Sequence, residues 1–302
     1  MTINDAHCHF FSSGFLELLT AGNPEFPPEG RAAAVAARVG WIAPGTAEEL
    51  ADRWVAELDR NRVARAAMIA SIPGDEESVA TAVARHPSRF VGFFMVNPLA
   101  PDVAARLDRG FSEHGLRCAC LFPAMHKYRL DDERVRHVFE AAERHKAAVF
   151  VHCGVLTVGV RSKLGLRSPF DLRLGDPLAA AAMAGAFPSV PVLIPHFGAG
   201  FFREALMAAA QCPNIHFDTS SSNAWMQYYP GLSLVSVLRQ ALDVVGPQRL
   251  LFGTDSSFFP RGWQKGVYDA QVQALDAAGC PEPDRELVFG GNFDRIFSRP
   301  GL

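Results

Sequence analysis

Two histidines one residue apart, His7 and His9 in Asp5-Ala-His7-Cys-His9, are the first residues whose type and spacing could do chemistry. In an extended strand alternate residues share a face. The two imidazoles then stand roughly 6–7 Å apart at Cα, a span that lets both turn toward one cation. Cys8 faces the other way and packs beneath the helices. Such a pair alone is as often structural as functional. Three more polar groups recur at one kind of position. His152 closes the apolar run Phe150-Val151, His196 closes Val192-Leu193-Ile194-Pro195, and Asp255 closes Leu250-Leu251-Phe252-Gly253-Thr254. A single strand-end histidine is usually a satisfied structural residue. Three polar groups at the C-terminal ends of three strands are harder to dismiss, and imidazole and carboxylate suit zinc and related divalent metals.

Something must bring those strand ends together. Apolar, β-rich runs at 2–9, 63–70, 89–96, 117–122, 148–153, 190–196, 214–219 and 249–254 read as strands. Several are nearly unbroken in hydrophobicity, as strands covered on both faces are. Between them lie amphipathic helices. Thr46-Ala-Glu-Glu49 predicts a capping box before Leu50, Trp54 and Leu58, which share one helical face. Val135, Val138, Phe139 and Ala142 form a second stripe, and Leu234, Val237, Leu238, Ala241 and Val245 a third. Eight strands alternating with helices predict an α/β fold, a (β/α)8 TIM barrel, whose closure gathers the strand ends around one mouth. Residues from about 11 to 45 break the rhythm. Pro24, Pro27, Pro28 and Gly30 predict an irregular loop inserted after the first strand, on the active-site face.

The chain has 302 residues and is 49% hydrophobic, enough for one barrel domain over 1–302. A formal net charge of −3 without a basic block argues against nucleic-acid and membrane-surface binding. No apolar run reaches membrane-spanning length, and the start lacks a charged and apolar leader, so a cytoplasmic location is expected. The six cysteines include no Cys-x-x-Cys pair and read as buried free thiols. A homodimer is compatible with all of this.

Taken in order, Asp5-x-His7-x-His9, His152, His196, Gly253-Thr-Asp255 and the closing Gly290-Gly-Asn292-Phe-Asp-Arg295-Ile-Phe297 resemble the amidohydrolase superfamily. The resemblance is closer to the branch that includes aminocarboxymuconate-semialdehyde decarboxylase and related aromatic-acid decarboxylases, and it spans the whole chain. It implies that His7, His9, His152 and Asp255 hold one divalent metal, Zn2+ before Mn2+ or another cation. It implies that His196 is the general acid/base beside the metal. Binuclear members place a carboxylated lysine on the fourth strand. Here that strand reads Leu116-Arg117-Cys118-Ala119-Cys120-Leu121, with Cys120 about where the lysine would fall, which disfavours a bridged metal pair. Cys120 is kept as a minor candidate ligand, with packing the stronger reading.

A cation of this kind lowers the pKa of a bound water to roughly 7 and polarises carbonyls. The first expectation is therefore hydrolysis of an amide, ester or lactone. The second is non-oxidative decarboxylation of an unsaturated or aromatic acid. A third reading, a barrel that keeps a metal without turnover, would have no use for an uncoordinated His196. The loop after His152 carries Arg161, Lys163, Arg167 and Arg173, and such cations suit an anionic small-molecule substrate. Arg161, Lys163, Phe201, Arg203 and Asn223 are the candidate substrate contacts.

Overall fold

The computed structural model describes residues 1–220 and 224–298. Eight strands, β1 (Asn4–His9), β2 (Arg65–Ala70), β3 (Phe90–Val96), β4 (Cys118–Leu121), β5 (Ala148–Val151), β6 (Val192–Ile194), β7 (Ile215–Asp218) and β8 (Leu250–Leu251), follow one another in chain order in one sheet. Every neighbouring pair is parallel. The last strand returns to the first. Ala6 N–H donates to the Phe252 carbonyl at 2.8 Å, Asp255 N–H to that of His7 at 2.9 Å, and His9 N–H to that of Ser256 at 2.7 Å. The sheet is thus the expected (β/α)8 barrel, with each strand inside its predicted run.

The near-continuous hydrophobicity of the strands has a direct cause. In β3 all seven residues are buried, because Val91, Phe93 and Met95 fill the barrel interior while Phe90, Phe94 and Val96 pack under the helices. The helix Ala47–Arg60 begins at the predicted capping box: Thr46 Oγ1 accepts from Glu49 N–H at 3.2 Å, and Glu49 Oε2 accepts from Thr46 N–H at 2.8 Å. It buries Leu50, Trp54 and Leu58, and the helices Glu133–Arg144 and Leu234–Val245 bury the other two stripes apart from Leu234, which is partly buried. At the opposite end from the strand C-termini, Asn292 Nδ2 donates to the carbonyls of Pro247 and Leu250 at 2.7 and 2.8 Å. A Cβ on Gly290 would lie 2.6 Å from the Thr2 carbonyl oxygen. The closing motif therefore seals the barrel floor. No helix among the described residues is long and apolar enough to cross a membrane.

The insertion after β1 corrects the sequence reading. It is not an irregular loop but two helices, α1 (Ser13–Leu19) and α2 (Arg31–Val39), joined by the proline-containing stretch. Ser12 caps α1 by accepting from Phe15 N–H at 2.9 Å. The prolines misled because they fall between the helices, where no helical N–H is needed. The alanine-rich 31–39 segment buries Ala32, Val35, Ala36 and Val39 on Phe15, Leu16 and Phe26, and Val160 and Leu164 of the loop after β5 join them. This second small core caps the barrel mouth.

Buried Asp75 anchors the cap. It accepts from the hydroxyls of Ser12 and Ser78, each at 2.6 Å. Burial outweighs those bonds and lifts its pKa from 3.8 to about 6. The folded state then holds the proton more tightly than the unfolded chain. The contribution is complete below pH 3.8 and is lost as the pH rises through about 6. Asp75→Asn cannot ionise. It should gain up to about 3 kcal/mol relative to wild type between pH 4 and pH 7.5, read from urea unfolding at both. An unchanged difference between the two would refute the assignment.

Candidate metal centre and active site

The strand ends converge as closure requires, but a local irregularity sets which side chains face in. β1 shifts register between Asp5 and Cys8. Ala6 joins the interior cluster, Cys8 packs among the outer residues, and His7 and His9 both line the cavity at the mouth. Asp255 occupies left-handed backbone with φ 57°, which turns its carboxylate back over the barrel. Its Oδ1 lies 2.9 Å from His9 Nε2 and 3.6 Å from His7 Nε2, and the two Nε2 atoms are 3.2 Å apart.

The hydrogen bonds behind these rings fix which nitrogen faces the cluster. His7 Nδ1 makes a short contact with the Asp218 carboxylate, which can only accept from it. Ser71 gives its own proton to the Ile69 carbonyl at 3.0 Å, so its Oγ accepts from His9 Nδ1 at 2.6 Å. Both Nε2 lone pairs and a carboxylate oxygen therefore meet at one point, an arrangement that needs a positive charge between them. A proton on Nε2 can supply that charge in place of a cation: burial opposes it, yet Asp218 and then Asp255 lift the His7 pKa to about 9. Burial opposes ionisation of Asp255 too, but His7 and His9 hold it well below the carboxylate range. The residues fit a divalent cation, and ligand atoms of His7, His9 and Asp255 all lie within 4.8 Å of one another.

His152 is not in that trio. Its ring stacks on Phe122 at 5.2 Å and stands 5.5 Å from the ring of His196. Its buried Nδ1 has no protein partner among the described residues, and burial keeps it neutral. His196 also sits on left-handed backbone, φ 54°, in the tight turn after β6. Its Nδ1 donates to the Ser220 carbonyl at 3.0 Å, leaving Nε2 as the basic nitrogen. Burial, then His7, lower its pKa. Its ring centre is 5.0 Å from that of His7. Cys120 faces the barrel interior among Phe93, Phe122 and Phe150, outside the trio and the cavity lining.

Above these groups opens a cavity of about 520 Å³. Its walls include Phe11, Phe15, Trp41, Phe122 and Phe258. Of the sequence-predicted substrate contacts, Lys163 lines it. Arg161 instead donates to Ser168 Oγ at 3.1 Å and to the Arg167 carbonyl within its own loop. Arg203 is exposed and paired with Glu204 at 2.5 Å, and Phe201 precedes the helix Phe202–Gln211; neither is part of the cavity wall. Asn223 lies outside the described residues.

Sequence reasoning missed Asp218, Ser71 and the role of Asp5. Asp218 ends β7 as the other polar groups end theirs, a signal that was present. Asp5 accepts four bonds: from His7 N–H at 2.9 Å, Thr254 N–H at 3.1 Å, Thr254 Oγ1 at 2.6 Å and Trp263 Nε1 at 2.7 Å. It staples the β1–β8 seam beneath the cluster. Gly253 leaves room for the same seam. A Cβ there would collide with Asp218 Oδ1 and sit 3.0 Å from His7 Cβ. Gly253→Ala should therefore destabilise the fold by roughly 1–3 kcal/mol and loosen metal binding. Denaturant unfolding and metal titration check both effects, and an unchanged metal affinity would show that the Asp218–His7 pair had not moved.

Comparison with known proteins agrees with this fold. Among solved structures, 5-carboxyvanillate decarboxylase from Sphingomonas paucimobilis is 16% identical with a TM-score of 0.62, covering 99% of each chain. A dihydroxybenzoic acid decarboxylase from Polaromonas sp. JS666, with bound manganese and the inhibitor 2-nitroresorcinol, is 17% identical with a TM-score of 0.62, covering 98% of this chain and 96% of that one. A probable 2-pyrone-4,6-dicarboxylic acid hydrolase from Acinetobacter baumannii is 13% identical with a TM-score of 0.62, covering 99% and 100%. At these identities the likeness is one of fold. A search of curated proteins gave no significant match. The family model described as amidohydrolase matches residues 4–299, nearly the whole chain. This chain belongs to the amidohydrolase family, whose enzymes bind a divalent metal.

Proposed function

We propose that the protein is a metal-dependent decarboxylase of aromatic or conjugated carboxylic acids. The sequence ranks hydrolysis first; this reading reverses that order on the strength of the cavity. The observation that carries the reading is its lining: flat aromatic walls, with the metal-binding trio and His196 at the inner end. Such walls fit a planar substrate, and apolar surroundings favour the loss of a carboxylate's charge as carbon dioxide.

In this reading His7, His9 and Asp255 hold the cation, with His152 as the fourth ligand, and zinc is the metal the donor set suits best, ahead of manganese. When bound, the cation supplies positive charge that orients the substrate's oxygens and stabilises charge developing beside the reacting carbon. The aromatic walls hold the ring in plane and exclude water. His196, its Nδ1 committed to the Ser220 carbonyl, takes up a proton from solvent at Nε2 and delivers it to the carbon bearing the carboxylate. The new C–H bond takes its electron pair from the conjugated system; the bond to the carboxylate then breaks, its pair restores that system, and carbon dioxide leaves. Burial, then His7, lower the His196 pKa, which makes the protonated ring a stronger acid than a free imidazole.

Metal-loaded protein should release carbon dioxide from hydroxylated benzoates or unsaturated acids. In deuterated water, deuterium should replace the lost carboxylate. Turnover of lactones or esters without carbon dioxide would favour the hydrolytic reading, which the hydrolase among the structural neighbours supports. Elemental analysis should find about one divalent ion per chain. Absence of metal, with no activation by added zinc or manganese, would overturn both readings.

A further inference from the structure

The carbonyls of Gly253, Thr254 and Asp255 lie just beyond β8, between residues that bond to β1, and need partners of their own. Two glutamines of one element supply them. Gln264 stands at the start of the helix Lys265–Ala277 and Gln271 lies within it. Their spacing is close to two helical turns, so both side chains leave the same side of the helix. Gln264 Nε2 donates to the carbonyls of Thr254 at 2.8 Å and Asp255 at 3.0 Å. Gln271 Nε2 donates to those of Gly253 and Thr219, each at 3.1 Å. Gln271 Oε1 accepts from the Thr219 hydroxyl at 2.6 Å, and Gln264 N–H donates to Ser256 Oγ at 2.9 Å. Carbonyls only accept, which fixes the orientation of both amides. Gln271 and Thr219 are fully buried, and neither glutamine lines the cavity.

We infer that Gln264 and Gln271 are positioning residues of the metal centre, a pair of amide clamps that set the direction of the Asp255 and Asp218 carboxylates. Asp255 is a non-glycine residue in left-handed backbone, φ 57°, and such strain persists only where the surroundings hold it. The Gln264 amide binds the oxygens of the peptides on either side of Asp255, the two units whose rotation would swing its carboxylate away from His7 and His9. Arg261 Nη2 adds a bond to the second of them at 3.1 Å. Gln271 acts one strand over, because Thr219 follows Asp218, whose carboxylate holds the His7 ring. The strand ends of β7 and β8 are thereby tied to one helix. The inference rests on the metal assignment of the proposed function and not on its reaction.

Zinc affinity by chelator competition and the visible absorption of the cobalt(II)-loaded protein test the clamps on the full-length chain, with urea unfolding of the metal-free protein beside them. Gln264→Met keeps the length of the side chain and removes its donor. It should weaken zinc binding roughly tenfold, the lower end of what partners behind a metal's ligands contribute, and shift the cobalt bands, which report ligand geometry. Gln264→Glu should be worse, because a carboxylate sets an acceptor against two carbonyls. Gln271→Met should weaken zinc binding too, with a larger loss of stability from the buried carbonyls it strands. If that variant does not fold, the Gln264 pair decides. Wild-type zinc affinity and an unshifted cobalt spectrum in both Gln264 variants would overturn the clamps, whatever their stability in urea, and would leave the metal assignment standing. A wild type that binds neither zinc nor cobalt would sink the assignment and the clamps together.

Discussion

His196→Ala is expected to keep its metal and its fold while losing roughly 10²–10⁴-fold in turnover, the usual range for a missing general acid or base. The expectation follows from where the ring is anchored. Nδ1 is spent on the Ser220 carbonyl, with Ser220 Oγ also 2.9 Å away, so Nε2 is the nitrogen left for chemistry. The trio of His7, His9 and Asp255 closes without it. The left-handed backbone at His196 is strain of about 1–2 kcal/mol that an alanine inherits, so stability should change little through that route. His196→Gln gives a second measurement, because its amide can keep the bond to Ser220 but cannot carry a transferable proton. Metal content by elemental analysis and turnover by carbon dioxide release decide the matter. Loss of metal in His196→Ala would make it a ligand instead.

Asp255→Asn is expected to empty the site and abolish activity together. Asparagine tolerates the left-handed backbone that Asp255 occupies, so the substitution removes charge with little disturbance of shape. What it removes is the anionic oxygen that lies against both Nε2 atoms. The loss of metal affinity should exceed the roughly 10–100-fold expected for Asp218→Asn, which acts one step further out by releasing the His7 tautomer. Competition titration with a chelator ranks the two. If Asp218→Asn proved the more damaging, His7 orientation and not the Asp255 charge would dominate metal binding.

Much of this was legible without coordinates. Eight strands are readable because strands buried on both faces are hydrophobic at nearly every position, as β3 shows. That His7 and His9 share a face follows from alternation, while the β1 register shift makes that face the inward one; strand-end placement put His152, His196 and Asp255 at the same mouth. The helices with caps and clean stripes were equally plain, since those signals lie within a dozen residues of one another. The cap was not. Its prolines spoke for a loop, and the helices around them are held by apolar contacts to residues more than a hundred positions away, Val160 and Leu164.

What tertiary structure alone decided concerns partners. Asp218 meets His7 across 211 positions and Ser71 meets His9 across 62. No local pattern carries such pairings, because they exist only once the barrel closes. The same closure joins His7, His9 and Asp255 and stands His152 beside His196. It sorts the cations too. Arg161 and Arg203 find bonds within their own segments, while Arg261, unremarked in the sequence, reaches the cavity because the loop after β8 folds over Asp255. Types and periodicity determined which residues could do chemistry and on which strand ends they stand. The direction of each side chain depends on the β1 bulge, two left-handed turns and loop packing, which are properties of the closed chain.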